Sequence, residues 1–308
     1  MAKKSKISQE IFHNEQKAID YLEKQRWPNG PVCPHCSGNE KIYDLKGEKC
    51  RPGLKKCGHC RKQFTVKVGT LFEKSRIPIH KWLQATYLLC ASKKGMSTHQ
   101  LHRILGITYK SAWFMTHRIR EAMYDHVVPP MGGNGSIVEA GETFWGNKKK
   151  KKPGARGYAH IEKIFSLVER GGRVRSFHVE KVTGKTLKPI IQKHVKPDTH
   201  IMTDDMRSYR GLGKMFDSHN VVRHSKGEYS RGIVYTNTIE SYFSILKRGL
   251  IGTYHHCGPQ HLKRYVGEFD FRYNHRKATD IERYEAAIKG FDGKRFKYRD
   301  SRKVENPK

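Results

Sequence analysis

Two cysteine pairs constrain the fold of this chain more than any other feature of its sequence. Cys33 and Cys36 form one Cys-x-x-Cys pair, and Cys57 and Cys60 form a second pair about 20 residues later. Seven cysteines in 308 residues are too few for a disulfide scaffold, so this spacing indicates a metal site. We predict that these four thiolates bind one structural Zn²⁺ ion, two unrelated redox pairs being the alternative. Cys50, between the pairs, is not a predicted ligand.

The net charge indicates the class of partner. The chain carries 61 Lys and Arg against 29 Asp and Glu, a formal net charge of +32. This excess favours a polyanion, and nucleic acid is favoured over a membrane surface because no basic amphipathic helix stands out. No stretch of the sequence reaches the roughly 18 apolar residues of a membrane span, and the first residues lack the apolar core of a signal peptide. We expect a cytoplasmic protein.

Residues 95–113 have the pattern of two short helices joined by a glycine turn. Ser97 and Thr108 are predicted N-caps, and Gly106 lies between the two helices. This is the layout of a DNA-reading helix pair, although any αα corner with a glycine turn looks similar. The predicted DNA contacts are Tyr109, Lys110 and Ser111 at the start of the second helix and Arg103 in the first.

Strands come first and then alternate with helices beyond residue 136, which predicts a mixed α/β sheet. The predicted strands cover 137–145, 163–169, 173–179, 199–203 and 220–223, with a hairpin turn at 170–172. The predicted helices cover 185–194, 206–215, 237–248 and 261–273. In the first part of the chain, helices are predicted in the first thirty residues and over 79–91, 98–105 and 109–124.

Two carboxylates in the second part of the chain are candidate metal ligands. Asp204 follows an apolar strand, and Glu240 lies on a helix that presents Asn237, Glu240, Ser244 and Lys247 on one face. With a third carboxylate they would form a two-metal site, while Lys247 would hold DNA phosphate. The structural alternative is that Asp204 caps the next helix and Glu240 pairs with Lys247 or Lys226.

The chain resembles bacterial insertion-sequence transposases of the fifteen-ninety-five group from Cys33 to about Arg276. The segments that carry the resemblance are 138–146, Thr203-Asp204-Asp205, Asn237-Thr238-Ile239-Glu240-Ser241, 247–249, 252–255 and 268–274. The resemblance implies a multidomain α/β protein with a zinc ribbon, a helix-turn-helix domain and an RNase H-like DDE-type domain. It implies Mg²⁺ or Mn²⁺ as catalytic metal, terminal inverted repeats and target DNA as partners, a homo-oligomer on DNA, and a nucleoid-associated location.

The resemblance also assigns roles and boundaries. Asp204 corresponds to the second catalytic acid, Glu240 to the third and Lys247 to the trailing lysine, with Asn237 as a lesser candidate for the third. The implied segments are an N-terminal helix (1–30), zinc ribbon (31–70), helix-turn-helix domain (71–126), linker (127–136), transposase domain (137–290) and basic tail (291–308).

The first catalytic acid departs from the family pattern. The family strand reads Glu-x-Asp-Glu, whereas Glu139-Ala140-Gly141-Glu142 places Gly141 at the aspartate position. Glu139 lies two residues, about 6.6 Å, back along the strand, and Glu142 is expected on its opposite side. We therefore predict that this copy has lost strand-cleavage activity, with rescue by Glu139 or Glu142 as the alternative.

Three further interpretations remain open. Lys148, Lys149 and Lys150 begin a lysine run that is either a DNA backbone contact or a solvated loop. A non-catalytic DNA-binding protein derived from a transposase is the first rival to an active enzyme. An RNA-binding or ribosome-associated basic protein with a zinc ribbon is the second, and it leaves Glu240 and its helix unexplained.

Overall fold

The structure is a computed structural model that describes residues 5–125, 128–146 and 161–297. These residues form two compact units. The ribbon–helix unit contains the described residues up to Tyr124 together with residues 278–297, and the sheet unit contains the described residues from Asp125 to Lys277.

The ribbon–helix unit combines a small antiparallel sheet with helices. Its strands are β1 (Ile42–Asp44), β2 (Lys55–Cys57) and β3 (Gln63–Phe64), and its first helices are α1 (Glu15–Arg26), α2 (Ile79–Ala91), α3 (Thr98–Leu105) and α4 (Tyr109–Met123). The last three helices confirm the predicted spans to within one residue. Helix α1 starts later than predicted because the Asn14 side chain accepts a hydrogen bond from the Lys17 amide at 3.0 Å and caps it there. Two 3₁₀ turns, Lys6–Ser8 and Glu10–Phe12, precede it.

The sheet unit is built on a mixed five-stranded sheet, as predicted. Its strands are β4 (Ile137–Trp145), β5 (Glu162–Glu169), β6 (Val174–Val179), β7 (His200–Asp204) and β8 (Ser218–Val222), in the spatial order β6-β5-β4-β7-β8. Strands β4, β5 and β6 pair antiparallel, whereas β7 runs parallel to β4 and β8 runs parallel to β7.

Helices cover both faces of this sheet. On one face, Leu187 of α5 (Gly184–His194) packs in one hydrophobic core with Ala140 of β4. On the other face, α6 (Asn237–Gly249) and α7 (Pro259–Asn274) supply Phe243 and Phe269 to a second core that contains Ile164 of β5. Because side chains alternate along a strand, adjacent residues of β4 belong to different sides of the sheet.

One predicted helix of the sheet unit is wrong. Residues 206–215 form two short 3₁₀ turns, Arg207–Tyr209 and Leu212–Lys214, instead of one helix. Gly211 between them has φ +85°, a left-handed conformation that ends a helical run. Farther along, β9 (Ser230–Arg231) and β10 (Val234–Tyr235) form a small antiparallel hairpin between β8 and α6.

The last helix, α8 (Asp280–Lys289), belongs to the ribbon–helix unit, whereas the transposase domain was predicted to extend to residue 290. Its buried residue Tyr284 places its ring 5.7 Å from Phe12 and 6.0 Å from Tyr87. A hydrophobic pattern identifies the buried face of a helix but not the unit that covers it, which explains the difference.

Among the described helices, none is long and apolar enough to cross a bilayer.

Candidate active site and zinc ribbon

The four predicted zinc ligands converge on one point. The Sγ atoms of Cys33 and Cys60 are 3.6 Å apart, as are those of Cys36 and Cys57, and all four lie within 4.8 Å of one another. A tetrahedral zinc ion at about 2.3 Å from each sulfur requires sulfur–sulfur distances of about 3.8 Å. The cluster therefore fits a structural zinc ion.

Backbone amides near the cluster donate hydrogen bonds to Cys33 and Cys57. The amide of His35 donates to Cys33 Sγ at 3.4 Å. A hydrogen bond from the Cys60 amide lowers the pKa of Cys57 to about 7, with further contributions from the neighbouring thiols and the His59 amide. Cys50 lies outside the cluster, as the spacing predicts.

The helix pair α3–α4 has the predicted caps. Ser97 Oγ accepts from the Gln100 amide and Thr108 Oγ1 accepts from the Ser111 amide, both at 3.2 Å. Gly106 ends α3 in the left-handed conformation, with φ +58°. Because L side chains rarely adopt that φ, the glycine is what allows the tight turn into α4.

The predicted DNA contacts lie on the surface of this pair. Arg103, Tyr109 and Lys110 are exposed and Ser111 is half-buried. The Tyr109 ring stacks on His99 with 4.4 Å between ring centroids. Ile104 is 51% exposed on the same helix as Arg103. The lysine run that begins at Lys148 lies outside the described residues.

Asp204 lies at the carboxyl end of β7, and Glu240 lies on the exposed side of α6. Burial raises the pKa of Asp204, and the charges of Asp205 and Glu240 add to the shift, while hydrogen bonding to the Met206 amide opposes it. That hydrogen bond, at 3.1 Å to Asp204 Oδ1, does not cap a helix as the structural alternative required, because residues 206–215 form 3₁₀ turns and the turn Arg207–Tyr209 has no side-chain cap. Within the described residues, the ion-pair partner of Glu240 is His224 and not Lys247 or Lys226. Its Oε1 lies 3.2 Å from His224 Nε2.

The face of α6 is arranged as its sequence predicts. Asn237, Glu240, Ser244 and Lys247 are exposed, whereas Ile239, Phe243 and Leu246 are buried. Lys247 therefore lies about two turns from Glu240 on the same side of the helix.

Gly141 is the residue of β4 that faces Ile239 and Phe243 of α6. In the β4–β7 pairing Glu139 is opposite Met202, so Gly141 and Asp204 each lie two residues beyond that pair. A Cβ atom at position 141 would lie 3.3 Å from Ile239 Cδ1 and 3.6 Å from Phe243 Cε2. Gly141 does not have a positive φ, so the backbone conformation does not require glycine, and a Cβ atom would fit if the end of the Ile239 side chain shifted by a few tenths of an ångström.

Glu139 is fully buried, and both of its carboxylate oxygens are engaged. Oε1 accepts from Arg170 Nε at 2.7 Å, and Oε2 accepts from the Ile239 amide at 2.9 Å. Its carboxylate thus ties β4 to the first turn of α6 and is committed to the protein interior.

Glu142 points to the other side of the strand, as expected from the alternation of side chains. Its Oε2 accepts from the Tyr209 hydroxyl at 2.5 Å. Burial raises the pKa of Glu142 to about 7; the Tyr209 hydrogen bond opposes this shift, and the charge of Asp204 adds to it. The carboxyl group is therefore held by a hydroxyl and is partly protonated near neutral pH.

Three residues of this region were not found by sequence reasoning. Tyr209 and His224 contact the carboxylates of Glu142 and Glu240, and both lie in three-residue 3₁₀ turns, which are too short to show a periodic pattern in the sequence. Arg170 was interpreted only as a turn residue. A lone arginine beside two glycines carries no signal for a buried ion pair.

Comparisons with known proteins agree with both units. The family model described as the ISXO2-like transposase domain matches residues 132–274, and the transposase zinc-ribbon domain matches residues 13–63. An uncharacterized protein in transposable element ISH50 of Halobacterium salinarum is 26% identical over 276 residues, which cover 85% of this chain and 91% of that protein. An uncharacterized transposase-like protein of Haemophilus influenzae is 30% identical over 119 residues, 38% of this chain and 95% of that protein. The chain therefore belongs to the fifteen-ninety-five group of insertion-sequence transposases.

Proposed function

We propose that this protein binds the ends of its own insertion sequence as a DDE-type transposase, and that strand cleavage is disabled in this copy by Gly141. The observation that carries the second part is the engagement of Glu139. Both of its oxygens already accept hydrogen bonds inside the protein, from Arg170 and from the Ile239 amide, so its carboxylate is held in place and is not free to move to the position of the missing aspartate.

The proposed DNA contact rests on the α3–α4 pair and on the charge. Capped helices on either side of a left-handed Gly106 support a helix-turn-helix assignment, and the net charge of +32 supplies attraction for phosphate. Tyr109, Lys110 and Ser111 at the start of α4 are the proposed major-groove residues, and Arg103 of α3 is a proposed phosphate contact. Since two ends must be joined, a homo-oligomer on DNA is part of the proposal.

The sheet supports an RNase H-like assignment of the second unit. Three antiparallel strands followed by two parallel ones, with helices on both faces, form the scaffold, and the candidate acids lie near one end of its central strands. Asp204 is the proposed second acid, Glu240 the third and Lys247 the lysine that holds phosphate. Asn237 is exposed on the same helix face and remains the lesser candidate for the third acid.

The donor set does not fit a complete two-metal centre. Three acids would hold Mg²⁺ or Mn²⁺, which activates the attacking oxygen and stabilises the leaving one. Asp204 and Glu240 offer carboxylates, but position 141 offers none. Among the described residues, the four cysteines are the only group in which three or more metal-binding side chains come within mutual reach. We therefore assign no metal-dependent step to the present chain.

A cleavage assay on DNA carrying the element's ends tests the proposal. The chain as it stands is compared with Gly141→Asp and with Gly141→Asp/Asp204→Asn, each with Mg²⁺ or Mn²⁺. We expect cleavage only from Gly141→Asp. Cleavage by the present chain would overturn the inactivation and direct attention to Glu142, which Glu142→Gln then tests.

Binding to the same DNA separates the rival functions. A transposase or a non-catalytic derivative prefers the terminal repeats over a scrambled sequence, and Lys110→Ala should weaken that preference. Failure of Gly141→Asp to cleave, with the preference intact, would favour the DNA-binding derivative. Absence of any preference would favour an RNA-binding or ribosome-associated protein.

A further inference from the structure

The hairpin between β8 and α6 exposes two large apolar side chains. Tyr229, just before β9, and Ile233, in the turn between β9 and β10, are each 67% exposed. We call residues 223–236 the β9–β10 loop.

This loop lies beside the acidic face of α6. The Tyr229 ring is 5.5 Å from the His224 ring, and His224 Nε2 is 3.2 Å from Glu240 Oε1. At the other side of the loop, the Ser225 hydroxyl donates to Asp205. The His224 side chain thus contacts both the exposed ring of Tyr229 and the Glu240 carboxylate.

The loop is fixed to the sheet by Arg170. Its two terminal nitrogens donate to the carbonyl oxygens of Ile233 and Tyr235, each at 2.8 Å, while its Nε bonds Glu139. The guanidinium carbon also lies 3.5 Å from the centroid of the Tyr235 ring. A surface held in this way is preformed, so a ligand need not order it on binding.

The charge of the loop indicates the class of ligand. Arg223, Lys226 and Arg231 are exposed, and the one acid among them, Glu228, lies 3.3 Å from Arg231. Exposed aromatic rings combined with cations that follow a phosphate backbone are the means by which proteins bind single-stranded nucleic acid. The base faces of duplex DNA are covered by stacking, so the apolar complement of Tyr229 is an unpaired base.

We propose that the β9–β10 loop binds an unpaired nucleotide of the DNA end, with its base stacked on Tyr229 and its phosphates on Arg223, Lys226 and Arg231. The inference rests on the proposed function, since it places DNA at the acidic face. It adds a ligand, an unstacked base, that the acidic residues and the helix pair do not account for.

The test measures the preference for DNA with an unpaired overhang over the same duplex with a blunt end. Dissociation constants are determined by fluorescence anisotropy for the present chain, Tyr229→Ala, Tyr229→Phe and Ile251→Ala. Ile251 is 60% exposed in the same unit and serves as the control for loss of an exposed apolar side chain. Zinc content and thermal unfolding verify that each variant is folded.

We expect the present chain, Tyr229→Phe and Ile251→Ala to bind the overhang about 10-fold more tightly than the blunt duplex, and Tyr229→Ala to bind both equally. The inference is overturned if Tyr229→Ala prefers the overhang as strongly as the present chain does, or if the present chain shows no preference for the overhang. A change of self-association in Tyr229→Ala without loss of the overhang preference would assign the surface to protein contact instead.

The comparison is made on terminal and scrambled sequences alike. Loss of the preference for terminal sequences would contradict the proposed function, whereas an overhang preference that survives on both sequences would still support the Tyr229 site. The two failures are therefore distinguishable.

Discussion

The guanidinium of Arg170 donates to the buried carboxylate of Glu139 at 2.7 Å and joins three parts of the sheet unit. Glu139 also accepts from the first turn of α6, and Arg170 also donates to the β9–β10 loop. The residue that sequence comparison offers as a substitute for the missing aspartate therefore has another role: it fixes the helix that carries Glu240. A carboxylate near position 141 on β4 is therefore not by itself evidence of a metal ligand.

Replacing Arg170 by Ala should strongly destabilise the sheet unit. The variant leaves a carboxylate without its cation at a fully buried position, which costs about 3–5 kcal/mol of unfolding free energy. Urea denaturation measures this cost, and hydrogen–deuterium exchange should show faster exchange in peptides of α6 and the β9–β10 loop.

The matched control is Arg231→Ala, which removes an arginine from the exposed ion pair with Glu228. Exposed pairs contribute about 0–1 kcal/mol, so this variant should unfold almost as the present chain does. Equal costs for the two variants would contradict the structural role of Glu139 and leave its carboxylate available for other partners.

Position 141 should accept a methyl group with little change in stability. Gly141→Ala places a methyl group against the ends of Ile239 and Phe243, and alanine in a strand is favoured over glycine by about 0.5–1 kcal/mol. The unfolding free energy of this variant should therefore stay within about 1 kcal/mol of the present value. A larger loss, measured by urea denaturation, would mean that the fold requires the glycine.

Mn²⁺ should stabilise the Gly141→Asp variant against unfolding but should not stabilise Gly141→Ala. Ligand binding at about 100 times its dissociation constant adds about 2.7 kcal/mol to the unfolding free energy. Thermal unfolding with and without Mn²⁺ measures the gain, and Asp204→Asn in the same background should abolish it. A gain that survives Asp204→Asn would place the added ion elsewhere.

The elements of the sheet unit were largely predictable, because each strand and the helix α6 carry a local hydrophobic pattern. That pattern places Asp204 at a strand end and Glu240 on an exposed helix face, and both positions hold in the structure. The cysteine cluster was equally predictable, because two Cys-x-x-Cys pairs at this spacing are typical of a structural zinc site. These features depend only on residues near in sequence.

What the sequence does not predict depends on long-range contacts. Arg170 reaches carbonyl oxygens more than sixty residues away, and α8 packs with helices of the other end of the chain. His224 becomes a neighbour of Glu240 only when the segment after β8 folds back on α6. No local periodicity encodes such contacts, so they required the structure.

Loss of one cluster cysteine should release zinc. Cys57→Ser removes a thiolate that structural zinc requires, so bound zinc should fall from one ion per chain to near zero, and the ribbon should lose its thermal transition. Atomic absorption gives the zinc content. Cys50→Ser is the control, because Cys50 lies between the pairs but outside the cluster, and it should retain the full ion.

Asp270 should make the sheet unit less stable as pH rises. Burial raises the pKa of its carboxyl to about 6, although Tyr242 and Ser176 donate hydrogen bonds to it. In the unfolded chain an aspartate titrates near 3.9, so the folded state holds the proton more tightly. The contribution is fully present below about pH 4 and is lost as pH rises to about 6, a change of about 3 kcal/mol.

Asp270→Asn removes this titration while keeping the shape of the side chain. Its oxygen can accept from the Ser176 amide, and its amino group can donate to the hydroxyls of Ser176 and Tyr242, which rotate to accept. Relative to the present chain, the variant should therefore gain unfolding free energy between pH 4 and pH 6 and no more above that range. Urea denaturation at several pH values measures the difference, and a difference that does not change with pH would show that Asp270 is ionised in the folded protein throughout.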